Sequence, residues 1–227
     1  MIRKNIPNFI TAANLVSGCI GIYFALQSNF IYVAYFVALA AVFDFLDGMV
    51  ARLLKAHSEI GKQLDSLADM VTFGVLPAFV MFQYLQNNGM GNWSFIAFFI
   101  AVCSAFRLAK FNIDTRQTDQ FLGLPTPANA LFISFLIFME GNPSLDFVFE
   151  TTSLVIITFI FSILLVIELP MIALKFKNLK WKGNAFRFLT IIFSIIFLII
   201  FKFSAIPLVI LFYIFLSAIQ YFSLRGN

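Results

Sequence analysis

Charge is what this chain lacks most. Only 11% of its 227 residues are Asp, Glu, Lys or Arg, against 61% hydrophobic. That leaves too little polar surface to cover a soluble globule of this size, so the bilayer is the expected solvent. Cysteine and histidine are scarce as well, at two and one. Cys19 and Cys103 both fall inside apolar segments, which supports neither a disulfide framework nor a thiolate metal site. The lone His57 sits on a turn and reads as a solvated residue rather than a catalyst. No low-complexity linker, repeat or independently foldable soluble segment is evident, so residues 1–227 read as a single integral-membrane domain. The first apolar segment, Ile6 to Leu26, lacks a small-residue cleavage site before Ser28 and reads as a retained helix rather than a signal peptide.

What the chain does have is apolar length. Its 32 phenylalanines are scattered among Ile and Leu, as lipid-facing and packing residues are. Crossing the hydrocarbon takes roughly 20 apolar residues, and eight segments approach that: about 7–27, 30–55, 64–86, 93–113, 125–140, 150–174, 186–201 and 203–224. The expected fold class is therefore an all-α membrane protein of about eight transmembrane helices. With the N-terminus inside, 14 of the 15 Lys and Arg fall on the cytoplasmic side and only Lys202 outside, which satisfies the positive-inside rule. Both termini are expected to face the cytoplasm. The net charge of +4 then reflects topology and anionic lipid headgroups, with no need for a nucleic-acid partner. The cluster Lys175 to Lys182, beside Trp181, reads as an interface anchor.

Against this background four aspartates stand out. Carboxylates at helix centres cost about 2.5–3.5 kcal/mol each, so four of them unpaired would oppose insertion by about 10 kcal/mol. In the second span Asp44, Asp47, Gly48, Ala51 and Arg52 follow i, i+3, i+4, i+7, i+8 and share one helical face. On the next span Gly61, Asp65 and Asp69 follow i, i+4, i+8. Antiparallel packing of the two spans across the turn Leu53 to Ile60 would bring the faces together. Asp47 lies about 12 Å along its helix from Lys55, and Asp69 about 12 Å from Gly61, so the carboxylates meet at one level. Converging oxygens without His or Cys suit a hard divalent cation, Mg²⁺ or Mn²⁺ and conceivably Ca²⁺, bound together with phosphates. Gly48 and Ala51 leave room for a phosphate or nucleotide, and Arg52 offers a fork for phosphate or pairs an aspartate. Spacing alone leaves structural ion pairs or a cation or proton pathway open.

The literal string decides among these. Asp44-Phe-Leu-Asp47-Gly48-Met-Val-Ala51-Arg52, eight residues, then Gly61-Lys-Gln-Leu-Asp65-Ser-Leu-Ala-Asp69 resembles the complete signature of the CDP-alcohol phosphatidyltransferase family. The resemblance implies a six-helix catalytic core, residues 1–174, with 175–227 adding two helices peripheral to the chemistry. It implies a homodimer in the bacterial cytoplasmic membrane, among membrane lipids, with its cavity open to the cytoplasm. It also implies that Asp44, Asp47, Asp65 and Asp69 bind one or two Mg²⁺ or Mn²⁺ ions and that Asp69 is the general base. Gly48, Ala51, Arg52 and Gly61 would line the CDP-lipid site.

Three further strings resemble the branch of that family that takes L-serine as acceptor and CDP-diacylglycerol as donor. They are Pro7-Asn8-Phe-Ile-Thr11-Ala-Ala-Asn14-Leu-Val-Ser17-Gly18, then Ala68-Asp69-Met-Val-Thr-Phe73-Gly74-Val-Leu-Pro77-Ala78, and finally Arg107-Leu-Ala-Lys-Phe111-Asn112 with Phe121-Leu-Gly123-Leu124-Pro125-Thr-Pro127-Ala128. Thr11 and Asn14 share a face that could reach the nucleotide, and Asn14 could equally make an interhelical hydrogen bond. Arg107 could bind a carboxylate and Asn112 the amino acid, with Arg116 a third acceptor-side residue. Arg107 and Arg116 serve topology equally well, and Gly123 to Pro127 could be a plain turn. The runner-up acceptor is glycerol 3-phosphate, as in phosphatidylglycerophosphate synthesis. Its second negative charge asks for a denser basic pocket, to which Arg52, Arg107, Lys110 and Arg116 would contribute. From a different class, a membrane cation transporter is the alternative.

Overall fold

In the computed structural model, residues 2–56, 58–114, 121–173, 181 and 184–225 are described. Nine α-helices carry this part of the chain: α1 (Ile2–Leu26), α2 (Phe30–Leu53), α3 (Glu59–Asp69), α4 (Leu76–Asn87), α5 (Phe99–Ile113), α6 (Thr126–Phe135), α7 (Thr151–Val166), α8 (Ala185–Phe201) and α9 (Ala205–Arg225). The protein is an all-α, multi-pass membrane protein. A single two-residue antiparallel pair, β1 (Phe121–Leu122) with β2 (Pro170–Met171), matches Phe121 to Met171 and Leu122 to Pro170. His57, Arg116, Lys175, Lys177, Lys180 and Lys182 lie outside the described residues.

Helix ends explain where the chain turns. After α1, Ser28 takes φ 55°, and the amides of Ser28 and Asn29 bond back to Ala25 and Phe24 carbonyls. The same left-handed closure ends α2 at Lys55, with Ala56 N–H reaching Ala51 O at 2.9 Å, and ends α4 at Gly89. In each case the last carbonyls, otherwise orphaned, are satisfied by the turn itself. Ser58 then caps α3, its Oγ accepting the Gly61 amide at 3.0 Å. The eight residues between Arg52 and Gly61 thus hold one helix stop and one helix start.

Five helical stretches are long and apolar enough to cross a membrane. One of them, Ala185–Ser223, has 39 residues and would run about 58 Å if straight, nearly twice the hydrocarbon core. It is broken at Lys202, where φ is 53°, and folds into the α8–α9 hairpin with Phe193 and Phe212 rings 4.6 Å apart. Two further apolar helices are short, Thr126–Met139 and Thr151–Val166. The expected span 150–174 ends as a helix at Val166, and the extended residues beyond it run back as β2. Irregular backbone at this depth is tolerated because protein rather than lipid surrounds it. Thr126, Asn129, Ala130, Phe132, Ile133, Ser134 and Phe135 of α6 are all buried, and Phe132 stacks on Phe161 of α7 at 3.9 Å.

Glu59–Asn87 is one continuous apolar stretch in which Met70–Val75 adopt a π-helix. The Leu76 amide reaches five residues back to Val71 O. Pro77 lacks the N–H that would renew the i→i−4 ladder, and Gly74 lets the widened turn press against Ser104. A π-turn directly after Asp69 sets that side chain apart from the register of α4.

Gly123 joins β1 to α6 at φ +76°. A Cβ there would lie 2.7 Å from Leu165 O and 2.9 Å from Ile167 O. Gly123→Ala is therefore expected to lower stability by about 1–3 kcal/mol, read as a fall in the melting temperature of the detergent-solubilised protein.

Candidate metal and nucleotide site

α1 is the shared partner of the two acid-bearing helices. It packs along α2 and also against α3, whereas α2 and α3 make little backbone contact with each other. The two acidic faces meet as their spacing predicts, with the carboxylates of Asp44 and Asp47 on α2 gathered beside that of Asp65 on α3.

Asp44, Asp47 and Asp65 each bring a carboxylate oxygen within 4.8 Å of the others. Small side-chain rotations from this spacing place three oxygens on one ion. The fit to a hard cation is supported by Asp65 Oδ1, which is buried and has no hydrogen-bond partner. It is supported too by the absence, among the described residues, of any ion pair to these aspartates; the salt bridge present is Lys110–Glu168. Arg52 is exposed and makes no ion pair with an aspartate among the described residues. Mutual repulsion among Asp44, Asp47, Asp65 and Asp69 in a setting this apolar demands a counter-charge.

Asp69 belongs to the cluster yet stands apart from the close trio. Its Oδ1 accepts a hydrogen bond from Asn14 Nδ2 at 3.1 Å, so Asn14 does cross between helices, as one of its two expected roles required. Thr11 Oγ1 lies 2.6 Å from Asp47 Oδ2 and 3.1 Å from Pro7 O. Both α1 side chains are buried, Asn14 wholly so. The approach of α1 depends on small residues. A Cβ on Gly18 would meet Thr72 Oγ1 at 2.3 Å, and one on Gly21 would meet Leu76 Cδ2 at 2.6 Å. Thr72 in turn donates to Asn14 O at 3.2 Å, which ties the π-segment to the helix turn that carries the Asp69 partner.

Beside the trio lies a cavity of about 210 Å³ lined by Pro7, Asn8, Thr11, Asp47, Gly48, Ala51, Ala56, Ser58, Gly61, Lys62 and Asp65. Gly48, Ala51, Gly61 and Thr11 are where the sequence placed them. Asn8, Ser58 and Lys62 were not anticipated. Asn8 could have been suspected from its place one turn before Thr11, while Lys62 looked like any cytoplasmic lysine. A Cβ at Gly48 would meet nothing within 4 Å, so this glycine opens space; at Gly61 it would meet Ser58 Oγ at 3.0 Å and Asn8 Oδ1 at 3.1 Å, so that glycine permits close packing.

Two of the residues expected on the acceptor side, Arg107 and Asn112, lie on α5. Asn112 Nδ2 donates to Ser66 Oγ at 2.8 Å, and Lys62 Nζ donates to Asn112 O at 2.9 Å. Arg107 is buried, donates from Nε to Leu124 O at 2.8 Å, lies 5.6 Å from the Phe111 ring centroid, and interacts electrostatically with Asp69. Gly123 to Pro127 is therefore more than a turn, because it supplies the carbonyl that orients Arg107. A second, more apolar cavity of about 450 Å³ runs between α5 and α7, with Arg107, Lys110 and Glu168 among its lining residues.

Two successive helices carrying D-x-x-D-G-x-x-A-R and G-x-x-x-D-x-x-x-D around a cation-competent trio define a class, and the comparisons agree. Residues 4–173 match the CDP-alcohol phosphatidyltransferase family model, and the chain belongs to that family. Among curated proteins it is 32% identical over 198 residues to a CDP-diacylglycerol–serine O-phosphatidyltransferase of Helicobacter pylori, covering 84% of this chain and 81% of the relative. It is 35% identical over 140 residues to the protein of that name in Bacillus subtilis, covering 62% and 78%. With that of Methanocaldococcus jannaschii it shares 38% over 135 residues, covering 58% and 61%.

Thr11 is the outer partner of a metal-competent carboxylate, and such partners typically carry 10- to 100-fold in metal affinity. Thr11→Val, which keeps shape and loses the hydroxyl, is expected to weaken Mn²⁺ binding by about 10- to 100-fold, measured by electron paramagnetic resonance titration of the purified protein.

Proposed function

We propose that this protein transfers the phosphatidyl group of CDP-diacylglycerol to the hydroxyl of L-serine, giving phosphatidylserine and CMP. The observation that carries the reading is the meeting of Asp44, Asp47 and Asp65 within 4.8 Å on the wall of a cavity that Gly48 leaves open. The names of the relatives supply the acceptor. In this reading the work is done in the bacterial cytoplasmic membrane by a homodimer, with termini and cavity facing the cytoplasm.

Asp44, Asp47 and Asp65, with Asp69 at their edge, would hold Mg²⁺ or Mn²⁺. The ion supplies charge neutralisation of the diphosphate and of departing CMP. The protein's own groups do the rest. Gly48 and Ala51 let the nucleotide approach the α2 backbone, and Lys62, Asn8 and Ser58 offer polar contacts around it. Asn14 holds one oxygen of Asp69 and so orients the other. That second oxygen takes the proton of the serine hydroxyl as its oxygen bonds to the β-phosphorus and the bond to CMP breaks. Direct attack is favoured because, among the described residues, the serines near the aspartates that donate a hydrogen bond, Ser17 and Ser66, give it to a backbone carbonyl rather than to a base.

Arg107 would pair with the serine carboxylate, with Asn112 fixing the α5 end to α3. Lys110 is neutralised by Glu168, which thins the basic density on this side. A zwitterion with one carboxylate suits that environment better than the dianion glycerol 3-phosphate. Arg52, exposed at the end of α2, would meet the nucleotide at the cavity mouth.

Purified protein given CDP-diacylglycerol, L-serine and Mn²⁺ or Mg²⁺ is expected to release CMP and form phosphatidylserine, and excess chelator to stop it. Asp69→Asn should cut turnover by about 10²- to 10⁴-fold. Preferential use of glycerol 3-phosphate would overturn the acceptor, and activity surviving chelation would overturn the aspartate mechanism. Gly48→Ala separates fold from site. Alanine is favoured over glycine inside a helix by roughly 0.5–1 kcal/mol, so this variant should melt at a higher temperature while its KM for CDP-diacylglycerol rises.

A further inference from the structure

The family match ends at residue 173, and α8 and α9 lie beyond it. From the sequence they read as peripheral. The structure ties α9 into the site. Tyr213 Oη donates to Ile172 O at 3.1 Å, and Ser217 Oγ accepts the Ile172 amide at 3.2 Å. Both polar groups of one backbone unit are thereby taken by two side chains one turn apart on α9. Ser217 is itself fixed by donating to Tyr213 O at 2.8 Å. Met171, Ile172 and Ala173 are buried, so these backbone groups have no water to fall back on and the two side chains are their partners.

Ile172 directly follows β2, and β2 pairs with β1. Two residues past β1, Leu124 offers its carbonyl to Arg107 Nε, while the Leu124 amide bonds to Leu164 O at 2.8 Å. Gly123 N–H bonds to Leu169 O at 2.9 Å, just before β2. The carbonyl that orients Arg107 thus hangs on a two-stranded strap whose far end is held by α9.

We propose that Tyr213, seconded by Ser217, is a positioning residue for the acceptor site: through Ile172 and the β2–β1 strap it fixes the Leu124 carbonyl and hence the Arg107 guanidinium that reads the acceptor carboxylate. The C-terminal hairpin is then part of the machinery that selects the alcohol. This rests on the reading of Arg107 as the acceptor-binding residue given above.

The test is steady-state kinetics of the full-length protein in mixed micelles, with CDP-diacylglycerol and L-serine varied separately, for Tyr213→Phe, Ser217→Ala, Arg107→Lys and the double variant Tyr213→Phe/Arg107→Lys. Loss of one hydrogen bond at the strap is expected to raise KM for L-serine about 3- to 10-fold in Tyr213→Phe, and similarly in Ser217→Ala. KM for CDP-diacylglycerol should stay at its wild-type value, while the melting temperature falls by the few degrees that one stranded buried backbone group implies. The double variant should be little worse than Arg107→Lys alone, because the two changes act through one group. An unchanged KM for L-serine in Tyr213→Phe and Ser217→Ala, with Arg107→Lys raising it, overturns the proposal and leaves the acceptor reading standing. A uniform loss in kcat and both KM values also overturns it, as a purely structural role. If Arg107→Lys itself leaves KM for L-serine unchanged, the acceptor reading fails and takes the proposal with it.

Discussion

Everything in this molecule is arranged around one electrostatic problem, four carboxylates gathered in a chain otherwise dedicated to lipid. Desolvated like charges repel strongly, and a low-dielectric surrounding gives them little relief. The fold answers in two ways. Among the described residues no basic side chain forms an ion pair with the aspartates, which leaves the cluster able to take an exchangeable cation. The fold also gives the cluster hydrogen-bond donors from α1, Thr11 to Asp47 and Asn14 to Asp69. Those donors reach only because Gly18 and Gly21 bring α1 against Thr72 and Leu76.

The division between Asp69 and the other three has a backbone origin. Asp44, Asp47 and Asp65 project from regular helix, where spacing of three or four residues dictates a common face. Asp69 is the last residue of α3 before the π-turn, and its hydrogen bond runs to α1 rather than into the trio. A carboxylate intended to take up and release a proton benefits from such separation, since a group fully committed to a cation is a poor base.

The signature half of the site was legible because helical spacing is rigid: residues at i, i+4 and i+8 share a face whatever surrounds them. All eight approximate segments fall on helices, of which five helical stretches are long and apolar enough to cross a membrane, and the stretch 150–174 stops being helical at Val166, ahead of Pro170, where β2 begins. What could not be read were relations carried by backbone atoms. The Leu124 carbonyl under Arg107, the left-handed stops at Ser28 and Lys55, and the grip of Tyr213 and Ser217 on Ile172 leave little trace in residue type. Lys62 was passed over because a lysine near a helix end is so well explained by topology.

The two halves of the site are consequently built from different materials. The phosphoryl-transfer half is side chains on regular helices, a construction that tolerates little variation, because three oxygens must meet on one ion. In the reading proposed above, the acceptor half is a guanidinium held by a carbonyl, a strap and a helix beyond the family-matched region. Such an assembly can be retuned by changes in α9 or in the strap without disturbing a single aspartate. An enzyme that keeps one leaving group and must choose among alcohols gains from that separation, since specificity is a difference of affinities that remote contacts can shift. On this argument the C-terminal hairpin is the place where acceptor choice can change while the aspartate chemistry stays the same.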